Sequence, residues 1–240
     1  HAGVSKADID LIGNHGQTFW HIPVEEEYLG RRIRSTLQLG GDALLAEQFG
    51  CPVVGDFRVR DMAAGGLGAP LVPYTEFLLY RSETECVALQ NIGGIGNISF
   101  LPAGCGLDDV LAFDTGPGNM VMDAVTARLT DGAAAYDAGG ALATQGQVSE
   151  KLLRHMLNDP YLAQRPPKTT GRERYGAEYT VSLCAYAGAE GIRLLDVLAT
   201  ATRFTAECIA AAVRDYAPEP PARLIVGGGG ALNAALMGHI

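Results

Sequence analysis

No apolar run in the sequence is long enough to span a bilayer, and no basic segment followed by an apolar one opens the chain. A transmembrane helix and a secretory leader are therefore not expected, and the reading is a soluble cytoplasmic protein with no membrane partner. Basic side chains are scarce. Eighteen Lys and Arg against 27 Asp and Glu leave a net charge of −9. Nucleic acid is not the expected partner, because neutralising its phosphates needs a basic face. A small anionic ligand is still compatible, since a few local donors can hold one phosphate. Cysteines number five, an odd count, widely spaced and without a C-x-x-C pair. That excludes a disulfide framework and a cysteine zinc site, and free thiols are expected. The P-loop pattern G-x-x-x-x-G-K-[ST] is missing, and so is a clean dinucleotide fingerprint.

What is present is apolar and rich in glycine. Apolar residues make up 48% of 240, ample for a packed core in one large domain or two small ones. β-Prone runs occupy 9–16, 51–57, 86–94, 97–102, 110–116 and 224–230, and most end in glycine. Helical patterns fall near 42–49, at 120–129, at 148–157 and at 196–216. In the third of these, Val148, Leu152, Leu153, Met156 and Leu157 share a face. Strands alternating with helices argue for an α/β protein. The stretch CVALQNIGGIGNISFL reads as a β-hairpin, which makes a mixed sheet the expectation. RPPKTTGRER (165–174) reads as a loop.

Thirty-one glycines cluster at 40–41, 65–66, 93–96, 116–118 and 227–230. At the carboxyl ends of strands, glycine lets a ligand approach the backbone, and ligands of α/β sheets collect there. NIGGIGNIS exposes turn amides beside Asn97. GGGGALN stands between a strand and a helix, where backbone N–H groups can face a phosphate or nucleotide. In DFRVRDMAAGGLGAP, Asp56, Arg58, Arg60 and Asp61 form either a local salt-bridge network or an anion clamp. His15 in NHGQT is either a structural histidine or a site residue. Asp114 ends a buried strand, VLAFDTG. It is either a turn residue or a base able to take a proton from a hydroxyl or water. Gly116 and Gly118 keep side chains away from it, and Asn119 caps the following helix.

Taken in order, HGQT, DFRVRDMAAGGLGAPLVP, NIGGIGNIS, FDTGPGNM, PPKTTGRE and VGGGGALN resemble the anhydro-N-acetylmuramic acid kinase family over nearly the whole chain. The resemblance implies the two-lobed α/β fold of the sugar kinase, Hsp70 and actin superfamily, with mixed sheets and an inter-lobe cleft for ATP and sugar. It implies an ATP- and Mg2+-dependent kinase acting on 1,6-anhydro-N-acetylmuramic acid. Asp114 would be the general base. His15, Gln17, Arg58, Arg60, Asp61, Gly116 and Asn119 would serve the sugar. Asn91, Gly93, Gly94 and Asn97 of the hairpin, with Gly227, Gly228, Gly229 and Asn233 of the last turn, would serve the nucleotide. Metal ligands are not identified, and a homodimer is compatible with the family.

The family's first phosphate motif, GxSxDGxD, does not occur, so the chain is expected to be the interior of a longer protein. Residues 1–85 would be a partial first lobe and 86–240 the second. A non-catalytic sugar-binding or regulatory fragment is the alternative. A nucleotide-dependent oxidoreductase is disfavoured by the missing fingerprint and by the hairpin.

Overall fold

The computed structural model describes residues 3–240 and divides into two compact units, His1–Val72 and Pro73–Ile240. Each unit is built on its own pairing of strands.

The first unit runs β1 (Ile12–Gly13), β2 (Gln17–Tyr28), β3 (Arg31–Leu39), α1 (Asp42–Phe49), β4 (Val53–Val54) and α2 (Phe57–Ala63). β1 and β4 pair in parallel. The strands expected over 9–16 and 51–57 shrink to two residues each, and after β1 the Asn14 side chain turns the chain by accepting from Gly16 N–H at 3.1 Å. β2 and β3 form an antiparallel ribbon that the sequence reading did not anticipate. Its two-residue turn places Leu29 at φ 51° and Gly30 at φ 73°, the left-handed pair that matches strand twist in a hairpin. α1 ends where expected, with Gly50 at φ 70° and its N–H bonded to Ala46 O. α2 carries Arg58, Arg60 and Asp61, residues to which the sequence reading gave no secondary structure.

The second unit begins at Pro73, inside α3 (Val72–Tyr80), so its boundary precedes residue 85. β5 (Val87–Ile92) and β6 (Ile95–Leu101) form the expected hairpin, and β7 (Leu111–Pro117) follows. Helices α4 (Met120–Leu129), α5 (Glu150–Leu157), α6 (Arg172–Tyr175), α7 (Ala177–Ala189) and α8 (Leu194–Tyr216) precede β8 (Arg223–Gly227) and α9 (Ala234–Met237). The sheet order is β7-β6-β5-β8. β8 is parallel to β5 and the other pairs are antiparallel, so the sheet is mixed as expected.

Period-two alternation gives each face its cover. Ala88, Ile98, Phe100 and Phe113 meet Ala212 and Tyr216 of α8. Val87, Leu89 and Leu101 meet Phe77 of α3. α5 buries Leu152, Leu153 and Met156, as its pattern predicts, and Ser149 caps it by accepting from Leu152 N–H. All five cysteines are free and buried.

Candidate active site

Two clusters of predicted residues take shape, one in each unit. In the first, α2 sends Arg58 back to the turn after β1. Its Nε–H donates to His15 Nε2 at 2.9 Å and Nη1–H donates to Gly68 O at 2.5 Å. An arginine nitrogen can only donate, so His15 Nε2 is unprotonated. The ring proton then sits on Nδ1, 2.9 Å from Gly16 O. Asp61 Oδ2 accepts from Gly68 N–H at 2.7 Å. A Cβ on Gly66 would lie 2.2 Å from that carboxylate, which is why the loop needs glycine there. Arg34 donates to Met62 O and Gly66 O from the other side. His15, Arg58 and Asp61 therefore clamp the 65–68 loop into one shape. Gln17 and Arg60 are exposed, and among the described residues Arg60 makes no side-chain hydrogen bond or ion pair. His21, which sequence reasoning left unassigned, lies against this loop. Its ring bonds to Thr36 Oγ1 at 3.0 Å, and burial, then the charge of Arg58, lowers its pKa.

In the second unit the hydrogen-bonding register sets the site. Asp114 pairs with Asn97, Asn97 with Asn91, and Asn91 with Gly227. Four predicted residues thus form one row across β7, β6, β5 and β8, spanning about 14 Å at normal strand spacing. Asn91 and Gly227 lie at the carboxyl ends of β5 and β8, where α/β sheets present ligands, whereas Asp114, expected to end its strand, is the fourth of the seven residues of β7, which continues through Gly116 to Pro117. A register shift between Gly96 and Asn97 bulges β7 next to Asp114.

Asp114 is half-buried. Its Oδ2 accepts from Thr169 Oγ1–H at 2.7 Å and from Thr170 N–H at 2.9 Å. Its N–H donates to Lys168 O at 3.1 Å, and its carbonyl accepts from Tyr161 O–H at 2.6 Å. Oδ1 has no hydrogen-bond partner among the described residues and is not occluded. Burial raises the pKa of the carboxyl, opposed by the two threonine bonds and reinforced by Glu173.

The Gly116–Asn119 turn locks onto the hairpin. Gly118 N–H bonds to Gly94 O at 2.9 Å and Asn119 N–H to Gly93 O at 2.7 Å. A Cβ on Gly118 would lie 2.2 Å from Gly93 O. Asn119 stands at the start of α4 but its side chain makes no cap bond there. The amide is instead used by Ile92 O, to which Nδ2 donates at 3.2 Å, so the expected capping role is corrected. Gly228, at φ 82°, leaves no room for a Cβ beside Ile92 O. Asn233 does cap α9 by accepting from Leu236 N–H at 3.0 Å.

Asn119, Gly229 and Asn233 line a cleft of about 430 Å³ together with Met122, Asp123, Tyr136, Asp137 and Leu232. The last five were not foreseen. Asp137 gives both oxygens to the Leu142 and Ala143 amides. Asp123 makes no side-chain hydrogen bond among the described residues, and burial raises it to about 6. Its sequence signal was only that of an acid in the first turn of a helix, where the dipole welcomes it.

The whole chain, residues 1–240, matches the family described as Anhydro-N-acetylmuramic acid kinase. The chain belongs to that family. It is 50% identical to the anhydro-N-acetylmuramic acid kinase of Caldanaerobacter subterraneus subsp. tengcongensis over 98% of its own length, and 44% identical to that of Clostridioides difficile over 98%. It spans 60% of the length of each of these anhydro-N-acetylmuramic acid kinases. Among solved structures it is similar to "Activator of the 2-Hydroxyisocaproyl-CoA Dehydratase from Clostridium difficile with bound ADPNP", at 13% identity and TM-score 0.44, covering 95% of this chain and 82% of that one. So slight a likeness carries no argument. Among the described residues no helix is long and apolar enough to cross a membrane, and no cluster of three or more His, Cys, Asp or Glu is placed to hold a metal ion.

Proposed function

We propose that the protein bearing this chain is an ATP-dependent kinase that converts 1,6-anhydro-N-acetylmuramic acid to N-acetylmuramic acid 6-phosphate, in peptidoglycan recycling. Family membership gives the reaction its name. The observation that carries the chemistry is the state of Asp114, with one oxygen held by two donors and the other open.

In this reading Oδ1 takes a proton from a water. The water oxygen bonds to the anomeric carbon as the bond from that carbon to O6 breaks. O6 then bonds to the γ-phosphorus of ATP and ADP leaves. The proton on Asp114 passes to solvent, so the sum is sugar, water and ATP giving phosphorylated sugar, ADP and a proton. Burial suits the base, because it raises the proton affinity of the carboxylate, while the threonine bonds fix its aim.

The Asn91 and Asn97 amides of the row, with the turn N–H of Gly94, supply neutral donors for phosphate oxygens. The cleft beside Gly229 and Asn233 suits the nucleoside. In the first unit, Arg60 and the remaining Nη2 of Arg58 suit the sugar's lactyl carboxylate. Mg2+ brought in with the nucleotide would neutralise phosphate charge.

The test is sugar-dependent ADP release. The reading expects ADP to form with 1,6-anhydro-N-acetylmuramic acid and not with N-acetylmuramic acid, and ADP release indifferent to the sugar would refute it.

A further inference from the structure

Residues 163–171 have no regular secondary structure, yet they hold Asp114 by three bonds, through Lys168 O, Thr169 Oγ1 and Thr170 N. An irregular segment needs an anchor of its own to serve as a rigid partner. We infer that Lys168 is that anchor: its ammonium, seated among the rings of Phe113, Tyr161 and Tyr216, positions the segment that grips Asp114.

The ammonium lies 5.8 Å from the Phe113 ring centroid, 4.9 Å from that of Tyr161 and 5.3 Å from that of Tyr216. All three are within cation–π reach. It also donates to Leu162 O at 3.2 Å. The rings come from three places, namely β7, the 161–163 turn and the end of α8. Two of them are tied to the same structure by their hydroxyls. Tyr161 O–H donates to Asp114 O, and Tyr216 O–H donates to Gln164 O at 3.1 Å.

Rings hold a cation without bringing a second negative charge. A carboxylate in their place would stand close to Asp114 and raise its pKa further, as Glu173 already does. The charged and titratable groups around the base and the anchor are Glu173, Tyr161, Tyr216, Cys208 and the Asp159–Arg174 ion pair. Burial lowers the pKa of Lys168, and no carboxylate pairs with it among the described residues.

The inference rests on Asp114 being the base, so its test includes a readout that needs no catalysis. In the full-length protein, Lys168→Met keeps an unbranched chain one atom shorter and removes the charge, whereas Lys168→Arg keeps the cation. Hydrogen exchange at the Thr170 amide should quicken about tenfold or more in the Met variant and stay near wild type in the Arg variant. The acid limb of kcat/KM should move up by about half to one pH unit in the Met variant, because the donors favouring the ionised carboxylate are loosened. KM for ATP should hold. If the Met variant does not fold, Tyr216→Leu removes one ring and should act in the same direction. Unchanged exchange with an unmoved limb overturns the inference. So does equal loss of activity in the Met and Arg variants with the limb unmoved, which would mean direct contact with substrate. Faster exchange in Lys168→Met, combined with an enzyme indifferent to Asp114→Asn, would retain the anchor and discard the base.

Discussion

Asp114 has one carboxylate oxygen tied to Thr169 and Thr170 and the other open. Asp114→Asn keeps an oxygen acceptor for those donors and removes the basicity. We expect turnover to fall about 10²- to 10⁴-fold, the usual contribution of a general base. Sugar affinity by calorimetry should stay within about threefold, since shape is retained. Retained turnover would show that the carboxylate is not the base. The base works only when ionised, and burial raises its pKa, so kcat/KM should fall as pH drops through a value above the ordinary carboxylate range. Asp123 makes the complementary case for stability. Its proton is held up to about pH 6 in the folded state and released near the ordinary aspartate value of 3.8 in the unfolded chain. Between these values the folded state binds more protons, so this group's effect is to lower stability as pH rises, with the penalty complete above about 6 and absent below 3.8. Asp123→Asn should therefore raise the melting temperature at pH 7.5 by about 2–4 °C, for a penalty of about 1 kcal/mol after solvent screening. At pH 3.5 it should change nothing. Equal shifts at both pH values would rule out charge as the cause.

Among the elements, the seam between the hairpin turn and the start of α4 is a tight joint of the second unit. Gly118→Ala drives a methyl to within 2.2 Å of Gly93 O, which is backbone and cannot swing aside. Overpacking of this kind costs about 1–3 kcal/mol, so calorimetric melting should drop by several degrees and activity should fall with it. An unchanged melting point would mean that the seam is looser than its hydrogen bonds indicate. The sheet and this seam were legible in the sequence because β5, β6 and β7 are nearly continuous apolar runs punctuated by glycine, and α4 starts directly after such a turn. The β2–β3 ribbon was not legible. It is largely exposed, its strands carry Glu25, Glu26, Glu27, Arg31 and Arg32, and its only turn signal is Leu29-Gly30. α2 was hidden because Asp56 enters it at φ 55° and its residues alternate charge with apolar side chains, which reads as a cluster and not as a helix. For the candidate site, the glycines announced themselves by clustering beside apolar runs, and Asp114 by following the apolar run 110–113. Thr169, Thr170 and Asp123 did not, since their roles come from register and packing across distant parts of the chain.

At the scale of the whole molecule, the proposed labour divides between the two units, and the division is testable with one substitution in each. Arg58→Ala removes the bonds to His15 and Gly68 that shape the 65–68 loop. It should raise KM for the sugar about tenfold or more while leaving KM for ATP within about twofold. Gly229→Ala is the mirror case. Gly229 has no positive φ, and the nearest atom to an added Cβ is Asn119 Nδ2 at 3.6 Å, so the fold accepts the methyl. The methyl projects at the wall of the cleft, and KM for ATP should rise by about five- to tenfold with sugar KM unchanged. Parallel changes in both constants for either variant would refute the division. The central claim is that one protein opens the anhydro bond with water and phosphorylates the released oxygen. The most direct measurement is mass spectrometry of the full-length protein acting on Mg-ATP and 1,6-anhydro-N-acetylmuramic acid in ¹⁸O-labelled water. It should be read before the reducing end exchanges with solvent and compared with unlabelled product placed in the same water. The product should be a sugar phosphate carrying one ¹⁸O at the anomeric carbon and none in the phosphate. A phosphorylated sugar whose anhydro ring is intact, or label in the phosphate in place of the anomeric carbon, would contradict it.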